Sequence, residues 1–252
     1  MLRKLIIILL LLLASCKPII NESKLTEEEL VYAAGKIITV GADANFQPYT
    51  SVSSTGETVG LSIDVLKKVS SRTGLRFNVL HYNDRAEMML DFYSGRLDIL
   101  AAVNPSPEQL AIMGLTEPYA LLSTVMLLNS LPINFPLRVG YAPNYFGQDR
   151  LNNLRKQVTI LALENDHAAF RAMMAGTVDG VVTNLGSAYY FEAMYHRHFK
   201  TAPIEFPYAL SFGYQPTNAR LGNIMQKAVS SLTVPERREL KLIYEAPPAA
   251  IP

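Results

Sequence analysis

The sequence predicts an α/β protein built from two similar halves, and three observations carry that prediction. β-branched runs alternate with segments of helical period, the pattern of strands and helices that share a sheet. A short strand ending in Val-Gly, then a polar loop closing on an aromatic, occurs twice, as IITVGADANF at 37–46 and LRVGYAPNYF at 137–146. Each half later runs from a helix through Gly-x-x-Asp and a strand to an asparagine, SGRLDILAAVN ending at Asn104 and AGTVDGVVTN ending at Asn184. A single Gly-x-x-Asp carries no information, whereas the same ordered set met twice points to two related lobes.

The first element is not part of the fold. MLRKLIIILLLLLASC places Arg3 and Lys4 before an apolar run from Leu5 to Ala14, the layout of an export signal over residues 1–15. The run is too short for a hydrocarbon core that needs about 20 residues. Its Leu13-Ala14-Ser15-Cys16 ending resembles the bacterial lipobox, in which cleavage precedes a cysteine that becomes acylated. Cys16 is thus the expected lipid anchor, and as the sole cysteine it leaves no disulfide or cysteine-rich metal site. Several acyl chains, each methylene contributing about 0.8 kcal/mol, make such anchoring effectively permanent, so a membrane is an expected partner. Removal of residues 1–15 takes two of the 23 basic side chains and leaves 21 against 22 acidic ones, a net charge of −1 with His neutral. Nucleic-acid binding, whose usual footprint is a basic patch, is not expected.

Residues 16–35 then read as a lipidated tether with a leader helix over 27–34, whose start is marked by Thr26 and Glu29 in capping-box spacing. After the strand at 37 comes a helix following Ser62, with Ile63, Leu66 and Val69 on one face and a stop at Gly74. RFNVL supplies the next strand, and a helix is predicted from Asp84 to Tyr93. Its counterpart in the second half runs from Asp166 to Ala175, and Gly95 and Gly176 suit left-handed helix ends. Open α/β sheets bind ligands beyond the carboxyl ends of their strands. The polar loops Asp43–Tyr49 and Asn104–Gln109 of one half, and Asn144–Tyr145 with Asn184 of the other, lie at such ends, and two facing edges make a cleft.

With these motifs in place, VGADANFQPY, GLSIDVLKKVSSRTGL, SGRLDIL, LTEPY, AGTVDGVVTN and LTVPERRELKLIY together resemble the bacterial extracellular solute-binding proteins of family 3, the amino-acid-binding type, from about Ile37 to Tyr244. The leader LTEEELVYAAGKI is similar to a helix that precedes the sensing domains of hybrid histidine kinases. The resemblance implies a type II periplasmic-binding-protein fold with two α/β lobes, a central ligand cleft and two hinge crossings. Lobe one is expected at 36–125 plus 211–246 and lobe two at 130–206. Hinge closure around a ligand is the motion of such folds.

The resemblance also implies site residues. Family members hold a ligand carboxylate with an arginine ahead of the TEPY-like corner and an ammonium with an acid in the second lobe; those positions fall on Gln109 and Asn184, both amides. A glutamine cannot form the charged bidentate pair that suits a carboxylate. Arg85, at the start of the second helix, has two readings: a displaced positive charge for the ligand, or a solvated arginine paired with Asp84 or Glu87. Phe46 either stacks on ligand or plugs lobe one, and Tyr49 shares its loop. Asp43 either touches ligand or orders that loop, while Asn104, Ser106, Asn144 and Tyr145 complete the candidate set. Glu117 and Tyr119 are expected to be structural, at the approach to the hinge.

Catalysis is not expected: there is no G-x-S-x-G, no catalytic cysteine, and His81 and His167 have no local partner that marks a base. His196 and His198, two apart on a helix, point in different directions and are expected to be exposed, and no cofactor or metal is implied. The sequence-level expectation is a lipid-anchored, periplasmic or cell-surface protein that captures a small polar ligand, an amino acid or related organic acid. Its partner would be an ABC permease or a membrane sensor kinase. A ligand-free protein-interaction module and a dehydratase-like enzyme of the same fold are the alternatives.

Overall fold

The structure is a computed structural model that describes residues 24–104, 110–129, 136–143, 151 and 158–247. The leader forms helix α1, Glu27–Ala34, and both hydrogen bonds of the Thr26–Glu29 capping box are made. The first half then contributes strands β1 (Ile37–Asp43), β2 (Asn45–Phe46), β3 (Thr50–Val52) and β4 (Thr58–Val59), helix α2 (Leu61–Thr73), β5 (Arg76–Tyr82), helix α3 (Arg85–Tyr93), β6 (Ile99–Val103) and β7 (Gly114–Leu115). Next come β8 (Ala120–Leu128), β9 (Leu137–Tyr141), β10 (Val158–Ala162), helix α4 (Asp166–Met174), β11 (Gly180–Asn184) and helix α5 (Leu185–Tyr195). The long β12 (Lys200–Tyr214) leads into helices α6 (Ala219–Ser230) and α7 (Val234–Tyr244).

Helix ends follow local chemistry. Ile63, Leu66 and Val69 of α2 are buried, and Gly74 ends the helix at φ +78°. Asp84 and Asn165 sit one residue outside α3 and α4 as N-caps, accepting from the N–H groups of Ala86 and Ala168. Gly95 and Gly176 take φ +79° and +73° one residue beyond the caps Ser94 and Ala175, where a Cβ would be strained. Each predicted helix is therefore shorter by one capping residue, Asp84 at the start of α3 and Ala175 at the end of α4.

One sheet runs through both lobes in the order β10-β9-β11-β8-β12-β6-β1-β5, with β7 on β12. The β1–β5 and β9–β10 pairs are parallel, as expected of strands separated by helices. The two crossings are β8 and β12, paired antiparallel. β12 first runs along β8 with Lys200–Ile204 against Leu128–Thr124, slips register, pairs Tyr208–Leu210 with Leu122–Ala120, and then joins β6 through Ser211–Tyr214. Its two ends thus belong to different lobes, and the register shift lies between them.

One apolar cluster runs from lobe one into lobe two, where it takes in Val139, Tyr141 and Val182, and lobe two has a further cluster of its own. In that further cluster, Phe170 of α4 stacks on Phe191 of α5 at 3.9 Å between ring centroids, with Val181 and Phe199 alongside. In lobe one, α2 and α6 bury Val65, Val69, Leu221 and Met225 against Val40 and Phe212 of the sheet. α1 is part of this lobe: Lys227 of α6 pairs with Glu29 at 2.7 Å, and the Tyr32 hydroxyl bonds Asn218 at 3.2 Å.

Candidate functional site

The carboxyl end of β1 delivers Asp43 to the edge of lobe one. Its Oδ1 accepts from the N–H of Asn45 at 2.8 Å, and the N–H of Ala44 donates to the carbonyl of Tyr82 at 2.8 Å, so the loop is tied to the end of β5. That tie brings the start of α3 against β1, and Arg85 turns inward: Nη1 is 3.9 Å from Asp43 Oδ2, with 11% of the side chain exposed. The solvated pairing with Asp84 or Glu87 is therefore not what the fold adopts for Arg85. Asp84 instead spends its carboxylate on the helix cap.

Phe46 and Tyr49 are fully buried, their rings 5.0 Å apart, and Phe46 also meets Tyr208 of β12 edge-on at 6.3 Å. Asn104, just past β6, is half-buried. Ser106, Gln109, Asn144, Tyr145 and Cys16 lie outside the described residues.

Lobe two presents the end of β11 and the first turns of α4 and α5. Asn184 occupies the N-cap position of α5 without capping it; the residue is 0% exposed, and both polar atoms of its amide lack a hydrogen-bond partner among the described residues. Asp166, the first residue of α4, is also buried, and its Oδ2 accepts from the Thr183 hydroxyl at 3.1 Å. Burial drives this carboxyl up to about 7; Thr183 and Ser187 oppose the rise, and Asp43 of the other lobe adds to it.

The two edges touch. His167 Nε2 and Gln47 Oε1 are 2.9 Å apart, and the Ser187 hydroxyl donates to the Gln47 carbonyl at 2.6 Å. Gly186 permits this approach, since a Cβ there would stand 2.6 Å from the Tyr49 hydroxyl oxygen and 2.5 Å from the carbonyl oxygen of Tyr244. His167 thus does have a partner, supplied by the opposite lobe, and burial together with Arg171 pushes its pKa down.

Other sequence-level candidates lie elsewhere. Tyr119 is buried with its hydroxyl 2.8 Å from that of Ser62, and Glu117 accepts from Arg237 at 3.0 Å. These bonds fix the corner before β8, in keeping with structural roles. His196 sits at φ +49° as the C-cap of α5, and the exposed His198 lies 3.5 Å from Glu192. Among the described residues no three His, Cys, Asp or Glu side chains are grouped to hold a metal. A cavity of about 510 Å³ lies behind the hinge rather than between the lobes, lined by Leu61, Tyr119, Leu122, Leu240 and Glu245 among others.

Sequence reasoning missed Asp166 and Gln47 as parts of this interface. An acid in the first turn of a helix is ordinary dipole chemistry, and a loop glutamine carries no signature. Only the meeting of two lobes gives either one a neighbour.

The profile of the bacterial extracellular solute-binding proteins, family 3, matches residues 38–234. The chain belongs to that family. This family 3 protein is 23% identical over 217 residues to the virulence sensor protein BvgS of Bordetella bronchiseptica, a match covering 82% of the chain and 18% of BvgS. It therefore spans less than a fifth of the length of that sensor. Over 85 residues it is 31% identical to a probable amino-acid ABC transporter-binding protein of Haemophilus influenzae, covering 33% of each chain.

Among solved structures, the periplasmic VFT2 domain of Bordetella pertussis BvgS superposes with a TM-score of 0.79 at 19% identity, covering 87% of this chain and 98% of that one. The substrate-binding protein of an amino acid ABC transporter superposes with a TM-score of 0.70 at 16% identity, covering 83% and 99%. At these identities the likeness shows the fold, the type II periplasmic-binding architecture. No described helix is long and apolar enough to cross a membrane.

Proposed function

We propose that this protein is a lipid-anchored, extracytoplasmic solute-binding protein. It captures a small polar ligand between its lobes and offers the closed form to a membrane partner. The carrying observation is the cleft edge itself: the loop after β1 meets the starts of α4 and α5 through Gln47, His167 and Ser187, and the buried amide of Asn184 there is unpartnered among the described residues. A buried amide without partners is costly, and a ligand that pairs with it relieves that cost. Ligand affinity for the closed arrangement then shifts the open–closed equilibrium.

Signalling is the favoured use, because the likeness to the BvgS sensor extends over 82% of the chain. Delivery to an ABC permease is the second reading, supported by the shorter Haemophilus match. The relatives named above are a sensor and a transporter-binding protein, and the proposal is accordingly one of capture.

The test is thermal unfolding of the purified protein against amino acids, organic acids and peptidoglycan fragments. A ligand at 100 times its Kd raises stability by about 2.7 kcal/mol. Absence of any shift favours a protein-interaction module. The anchor is tested separately by palmitate labelling, which a Cys16→Ser change should abolish along with membrane retention.

A further inference from the structure

The interface between the lobes contains an acid that no cation balances among the described residues. Asp166 is 1% exposed, and its Oδ1 has no hydrogen-bond partner among the described residues. Thr183 serves Oδ2, and the Ser187 hydroxyl, which also favours the ionised carboxyl, donates to the Gln47 carbonyl. The ionisable groups around Asp166 are Asp43 and, beside it, Arg85 from lobe one, the Tyr49 phenol, and His167 and Arg171 on its own helix. Arg85 is one cation for Asp43; Tyr49 is held in its neutral form by burial, and His167 is held towards its neutral form by burial and Arg171. Among the described residues Asp43 and Arg85 pair, Arg171 bears on His167, and no cation bears on Asp166, which leaves one negative charge in excess there.

A buried carboxylate in that position is relieved either by a proton or by a cation with N–H donors. Asp166 opens α4, whose N-terminal dipole favours the ionised carboxylate once a countercharge arrives.

We propose that Asp166 is the anionic ligand contact of the second lobe, and that the cleft selects a small ligand of net positive charge carrying a primary ammonium group. The inference rests on the ligand-capture reading above and narrows it: the acid absent at Asn184 is supplied from a different element, and a zwitterion with no net charge leaves the excess in place.

The test is calorimetric titration of the full-length protein in detergent with putrescine and L-lysine as cationic probes, L-alanine as zwitterion and succinate as anion. The cationic probes should bind, with a Kd about tenfold weaker at about pH 6 than at about pH 8, because the ligand must displace a proton. Asp166→Asn, which keeps the acceptor for Thr183, should weaken their binding at least tenfold and remove the pH dependence. The pH profile of the unaltered protein tests the inference even if that variant does not fold. Binding of alanine or succinate while both cationic probes are silent overturns the charge assignment but leaves ligand capture standing. Silence of all four overturns the inference and counts against capture as well. Cationic binding that is independent of pH and unaffected by Asp166→Asn also overturns it.

Discussion

At the scale of single residues, Asp166 links the fold to proton activity. Its folded-state pKa, about 7, lies above the ordinary carboxylate range because of burial. A raised pKa stabilises the folded form below the unfolded value, near 4, and that contribution is lost as pH rises through about 7. The unliganded protein should therefore lose up to about 4 kcal/mol between those limits, with Tm falling over the same range. Glu245, also raised chiefly by burial, acts in the same direction. Asp166→Asn should flatten the profile in thermal melts followed by circular dichroism. None of this was legible in the sequence, where Asp166 is simply the first acid of a helix. The opposite lobe bears on it through the charge of Asp43 and through Gln47, which meets the neighbouring His167; both lie more than a hundred residues away in the chain, and no local pattern records that meeting. Asn184 was legible, because its place at a strand's carboxyl end follows from Gly-x-x-Asp and the strand length alone.

At the scale of elements, the sequence was a close guide, since caps and turns are short-range chemistry. Thr26 and Glu29 made the expected box, and the second capping box, Thr233 with Glu236, opens α7. Glu236 also holds a buried cation in place. Both its oxygens accept from Arg72 of α2, at 2.8 and 2.7 Å, and Arg72 is only 8% exposed. Burial pushes the Glu236 carboxyl up, but Arg72 and Thr233 outweigh it and hold the pKa at about 2. The pairing thus stabilises above the unfolded carboxylate value and is lost as pH falls towards about 2. Glu236→Ala removes the box and two hydrogen bonds of a buried guanidinium, and should cost on the order of 3 kcal/mol in urea unfolding. Gly60, preceding α2 at φ +124°, has backbone oxygens of Tyr49 and Pro48 at 2.6 and 2.7 Å from where a Cβ would stand. Gly60→Ala should cost about 2 kcal/mol or more by the same measurement, and it should disturb the Phe46–Tyr49 loop that Gly60 underlies.

At the scale of the whole molecule, the repeated motif predicted two lobes, and the structure joins them through β8 and β12 in one continuous sheet. What the sequence could not show is how tightly the edges fit. Gly186→Ala places a methyl group against Tyr49 and Tyr244, and should wedge the lobes apart, seen as a larger radius of gyration in solution scattering. Ser187→Ala removes the bond to Gln47, along with the support Ser187 gives the Asp166 carboxylate, and should shift the open–closed balance by about 1 kcal/mol, roughly fivefold. A radius unchanged by both substitutions would mean that these contacts do not govern closure.

The docking of α1 and α7 has a mechanical consequence. α1 is clamped to α6 through Glu29 and Tyr32, and α7 is clamped to α2 through Arg72–Glu236 and Asp64–Tyr244. Both ends of the described chain are therefore rooted in lobe one, while lobe two hangs from β8 and β12. Tension applied between those ends would load lobe one and leave lobe two slack. Lobe two can swing like a jaw on a fixed vice, and its position is felt at the described ends through the two strands that carry it and through the approach of Gly186 to Tyr244 at the end of α7.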